Sequence, residues 1–99
     1  MKAEGETLII NDLEFRLTCF ACPEQYDVYS GGEQVGYVRL RGGCLTVDFR
    51  ECGGKTLLEH TFEDDWKGCF DDDEERDHWL NRVAVVLLDA LIRERGALA

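Results

Sequence analysis

The hydrophobic period of this chain changes once, and that change limits its possible folds more than any other feature. From Thr7 to Phe62, apolar residues recur at every second position in short runs, each closed by a turn signal. From Asp71 onward, Trp79, Leu80, Val83, Val86, Leu87, Ala90 and Leu91 recur at the 3.6-residue spacing of a helix. A chain patterned this way is a set of strands followed by one helix. A parallel sheet would need strands and helices to alternate.

The period-2 runs are Thr7 to Ile10, Leu13 to Phe20, Tyr26 to Tyr29, Val35 to Arg41, Leu45 to Arg50 and Thr56 to Phe62. Asn11-Asp12, Pro23, Gly31-Gly32, Gly42-Gly43 and Gly53-Gly54 separate them. Connections this short pair consecutive strands as antiparallel neighbours. The alternation assigns Leu13, Phe15, Leu17, Cys19, Val38, Leu40, Leu45, Val47 and Phe49 to the buried face. The helix is expected over about residues 71–95. Asp71 to Glu75 supply its cap and first-turn acids, Arg93 and Arg95 suit its last turn, and Gly96 is its stop. The expected fold is therefore α+β: a single domain, residues 1–99, with an antiparallel five- to six-stranded β-meander packed against one long C-terminal helix.

Ninety-nine residues support one modest core, for which the 44% hydrophobic content suffices. The longest strongly apolar run, Val83 to Leu88, is too short to span a bilayer. The polar, acidic start is unlike a secretory signal, so a cytoplasmic location is expected. The five cysteines, Cys19, Cys22, Cys44, Cys52 and Cys69, are odd in number and have no disulfide-framework spacing. Reduced thiols, several of them buried as small hydrophobes, are the expectation.

The formal net charge is −10, and it is unevenly spread. Residues 63–77 hold nine acids and two bases, a net of −7. Such a surface repels nucleic acid directly and attracts a basic protein surface, including that of a nucleic-acid-binding protein. Helix-dipole complementarity accounts for part of the acidity, at about 0.3–1 kcal/mol per favourable charge; nine acids exceed what it needs. The candidate partner-binding residues are Asp64, Asp65, Asp71, Asp72, Asp73, Glu74, Glu75 and Asp77, with Trp66 as an aromatic anchor.

A second reading is a metal-binding module. Cys19-x-x-Cys22 has the spacing of half a zinc site, but no second such pair follows, and the motif sits at a strand end before Pro23. Residues 63–74 can be laid over a calcium loop. Asp65 then takes the third position, Gly68 the sixth, Asp71 the ninth and Glu74 the bidentate twelfth, but Lys67 falls where a ligand oxygen belongs. No cofactor is expected. His60 and His78 stand in no nucleophile–base motif, and the Gly-Gly pairs lack phosphate-loop spacing, so a binding role is expected and not an enzyme.

Leu17-Thr18-Cys19-Phe20-Ala21-Cys22-Pro23-Glu24-Gln25-Tyr26-Asp27-Val28-Tyr29 resembles a group of small phage and bacterial proteins with no assigned activity. Val35 to Arg41, Val47-Asp48, Cys52-Gly53-Gly54, then Gly68, Phe70, Asp71 and Glu75-Arg76 extend the resemblance over roughly residues 13–80. It implies a phage or prophage setting, in which small acidic proteins act as inhibitors of host machinery, anti-CRISPR proteins among them.

Overall fold

The computed structural model describes residues 6–19 and 23–98. Six strands and one helix follow in chain order: β1 (Thr7–Ile10), β2 (Leu13–Cys19), β3 (Glu24–Ser30), β4 (Glu33–Arg41), β5 (Cys44–Phe49), β6 (Thr56–Thr61) and α1 (Asp73–Leu98). Each strand pairs antiparallel with the next, giving one six-stranded meander in the order β1-β2-β3-β4-β5-β6. The fold is α+β, as the change of period requires.

One face of the sheet carries Leu13, Phe15, Leu17, Tyr26, Val28, Val38, Leu40, Leu45 and Val47, all buried. The helix closes this face with Leu80, Val83, Ala84 and Leu87. Three bulges explain where simple alternation stops. On β4 the register slips between Val28↔Gly36 and Tyr29↔Gln34, so Val35 is the extra residue and turns into the core. On β6 the slip between Val47↔Leu58 and Asp48↔Thr56 leaves Leu57 extra, and both Leu57 and Leu58 pack against the core. A third bulge lies on β2 between Leu17 and Cys19.

The Leu87 side chain of the helix packs directly onto Gly36 of the sheet. A Cβ built there would stand 2.7 Å from Leu87 Cδ1, so this strand position has room for a glycine and for little else.

The structure corrects several expectations. Strand β3 begins at Glu24, two residues earlier than the aromatic pattern marks. The helix starts at Asp73 and runs through Gly96 to Leu98, because Gly96 does not take the positive φ of a helix stop. Phe49, Val86 and Ala90 are only half-buried. Among the described cysteines none is fully buried: Cys19, Cys44 and Cys69 are intermediate and Cys52 is exposed. Phe20 and Cys22 lie outside the described residues.

Candidate functional site

The acidic segment links β6 to α1 and is seated on the far end of the sheet by backbone bonds. Phe62 N–H donates to the carbonyl of Gly43 (2.7 Å), and Gly43 N–H donates to the carbonyl of Lys67 (2.9 Å). Glu24 N–H donates to the carbonyl of Gly68 (2.7 Å). Gly43 has φ +76°, and a Cβ on it would lie 2.5 Å from the carbonyl oxygen of Asp64, so the loop lies directly on that turn.

Glu24 fastens the same segment from inside. Its side chain is 1% exposed on the core face of β3. The carboxylate accepts a hydrogen bond from the Tyr26 hydroxyl and another from Phe70 N–H (3.1 Å). Burial, with the adjacent Glu24 carboxylate, pushes the Tyr26 phenol well above its ordinary value, so it stays a donor. A buried carboxylate satisfied in this way positions the loop. The signal for it was available in Glu24-x-Tyr26-x-Val28, which shares one period-2 face, but the expected strand began only at Tyr26 and left Glu24 in the connection.

Both cations of the segment are used internally. Lys67 is buried, with Nζ 2.8 Å from Asp71, 2.9 Å from Glu75 and 5.3 Å from the centre of the Phe62 ring. Burial opposes its charge, yet the two carboxylates prevail and raise its pKa. Arg76, also buried, reaches Asp77 (3.1 Å) and Asp73 (3.5 Å). Asp71, Asp73, Glu75 and Asp77 are therefore partly neutralised at home.

The other five acids, Glu63, Asp64, Asp65, Asp72 and Glu74, have no cation within ion-pair distance among the described residues. Two of these make backbone bonds. Asp64 accepts Trp66 N–H (2.9 Å), and Asp72 accepts Glu75 N–H (2.8 Å) as the helix cap. Glu75 returns the arrangement by accepting Asp71 N–H (2.9 Å). Trp66, directly after Asp64 and Asp65 in the chain, is 91% exposed. Its indole edges a groove of about 330 Å³ lined also by Pro23, Arg41, Gly42 and Gly68.

A second aromatic group sits beside the helix start. The Trp79 ring lies 4.3 Å from His60, 5.4 Å from Phe62 and 5.3 Å from His78, centre to centre. Trp79 and His78 line a shallow recess with Asp72, Glu74 and Glu75. The helical pattern marks Trp79 as a core residue; the structure makes it half-buried, a wall between core and acidic surface.

Of the residues named for metal, Asp65, Asp71 and Glu74 do not assemble a site. No group of three or more His, Cys, Asp or Glu side chains converges on a cation position among the described residues. Asp71 is held by Lys67, whose ammonium group occupies the middle of the calcium-loop template. Cys22 lies outside the described residues, so the geometry of the Cys19-x-x-Cys22 pair is not described. No helix among the described residues is long and apolar enough to cross a membrane. Comparison with family models, with curated proteins and with solved structures gives no match.

Proposed function

We propose that this chain is a protein-binding domain which docks on a basic surface, with the 63–74 segment as its contact and Trp66 as the apolar anchor. The observation that carries the reading is Trp66, 91% exposed at the tip of a loop that is otherwise bonded to the sheet. Burying an indole of about 200 Å² would contribute roughly 5 kcal/mol, and the monomer forgoes nearly all of it. Asp64 and Asp65 directly precede the indole in sequence, Arg41 lines its groove, and Asp72 and Glu74 line the recess beside Trp79, while Lys67 and Arg76 are held by their own carboxylates. A cationic partner with an apolar cleft is the complement of such a surface.

The resemblance to small phage proteins puts this reading in a cytoplasmic host-inhibition setting, anti-CRISPR-like. The partner is then a basic, nucleic-acid-binding protein whose groove the carboxylates occupy in place of phosphates. In this reading the chain acts by occupancy and not by catalysis.

The test uses acids that make no hydrogen bond or ion pair among the described residues. Glu63→Gln, Asp65→Asn and Glu74→Gln together remove three charges without touching the Lys67, Arg76 or capping bonds. Capture of a basic partner from host lysate is expected to fall with salt for the parent, and to be lost in this triple variant and in Trp66→Ala. Equal capture by parent and variants would refute the proposal.

A further inference from the structure

The outer flank of α1 carries an apolar row that the fold uses only in part: Leu88 packs against the core, while Val85 and Ile92 are exposed. Asn81, Val85, Leu88, Ile92 and Arg95 follow one another at spacings of four, three, four and three, the 3.5-residue repeat of a coiled-coil stripe. This row lies beside the helix face formed by Leu80, Val83, Ala84 and Leu87. Val85 is 61% exposed and Ile92 68%, with Leu88 half-buried between them. They are two of the four large exposed hydrophobics among the described residues, and both lie on this one row.

Charge along the helix says what covers the seam. The first turn is acidic (Asp73, Glu74, Glu75), with Asp77 following, and the last turn is basic through Arg95. A second copy laid antiparallel brings acidic start to basic end and opposes the two helix dipoles favourably. With the twofold axis between Val85 and Leu88, each Val85 meets the second copy's Leu88. Ile92 then meets its Asn81, and Arg95 reaches its Asp77 and His78.

The same orientation carries the two acidic junctions to opposite ends. A 26-residue helix is about 39 Å long, so they stand several Debye lengths apart (~8 Å at physiological salt). A parallel pair would superimpose them. Beside the middle of the seam the one carboxylate among the described residues, Asp89, is paired with Arg93 (2.9 Å), so it is already neutralised against a basic macromolecule. We infer that α1 self-associates through Val85, Leu88 and Ile92 into an antiparallel dimer. Three apolar side chains per copy bury less than the ~1,200 Å² of a standard stable interface, so the dimer is reversible and concentration-dependent.

The full chain tests this by sedimentation equilibrium over a concentration series. Mass is expected to rise from one chain toward two, and Val85→Glu with Ile92→Glu is expected to hold it at one while circular dichroism and melting stay those of the parent. A parent that remains one chain at every concentration overturns the inference, as does a double variant that still dimerises. For orientation, Asn81→Cys and Ile92→Cys are placed separately in a Cys52→Ser background and mixed. Cross-linking between the two variants is expected. Self-cross-linking of Ile92→Cys alone would overturn the antiparallel arrangement.

Discussion

Gly42 and Gly43 offer a paired substitution in which one residue serves as the control for the other. Both centre the β4–β5 turn with positive φ, +58° and +76°. Alanine at either position meets the left-handed penalty of about 1–2 kcal/mol. A Cβ at Gly42 meets nothing within 4 Å. At Gly43 it would stand 2.5 Å from the Asp64 carbonyl oxygen and 2.9 Å from Asp65 Cα, both backbone atoms of the docked loop. Relieving that overlap means lifting the loop, which lengthens the Gly43–Lys67 and Phe62–Gly43 bonds. Overpacking of this kind adds about 1–3 kcal/mol. Gly42→Ala is therefore expected to destabilise by about 1–2 kcal/mol and Gly43→Ala by about 2–5 kcal/mol. Urea unfolding gives both values, and hydrogen exchange at the Phe62 and Gly43 amides shows whether the loop lifts. Equal destabilisation by the two variants would refute the claim that the acidic segment is seated on this turn.

Glu24→Ala leaves Phe70 N–H and the Tyr26 hydroxyl without their acceptor, at about 1–3 kcal/mol each, so a fall of about 2–6 kcal/mol is expected in urea unfolding. Trp66→Ala is expected to shift stability by no more than about 0.5 kcal/mol, as for an exposed surface position, while removing partner capture. Gly36→Ala is expected to destabilise by about 1–3 kcal/mol through Leu87, and a double-mutant cycle with Leu87→Ala should recover part of the loss. Burial raises the Asp27 carboxyl above its ordinary value, with Arg16 opposing. The folded chain thus holds that proton more tightly than the unfolded one, and stability is lost as pH rises through the folded pKa. Asp27→Asn is expected to gain stability over the parent at neutral pH, a gain that vanishes below the ordinary Asp range; melting curves across pH check this.

The meander and the helix were legible in the sequence because each rests on a period. Leu45-x-Val47 and Leu80-x-x-Val83-Ala84-x-x-Leu87 can hardly be read another way. The bulges at Val35 and Leu57 were not legible: the pair Leu57-Leu58 breaks the period without saying which is extra, and Val35, between Gln34 and Gly36, reads as an ordinary member of its run. In the acidic segment the sequence counted all charges equally. It could not show that Lys67 turns inward and ties up Asp71 and Glu75, because that depends on where Phe62 and Gly43 lie in space. Nor could it show Glu24 reaching Phe70, 46 residues away. Long-range polar bonds leave no period, so the difference between structural and available acids emerged only with the fold.

The order of the chain has a consequence for its synthesis. Every strand pairs only with its sequence neighbours, so each hairpin can close as soon as it leaves the ribosome. The helix that covers the apolar face is made after all of them. Until α1 emerges, Phe15, Val38, Leu40, Leu45 and Val47 form a nascent sheet with one greasy side uncovered, and both edge strands have open backbone groups. A stalled or prematurely ended chain would leave that side open; in the finished one α1 covers it. The long acidic approach to α1 precedes the helix by only a few residues, so charge arrives on the nascent sheet just before its cover does.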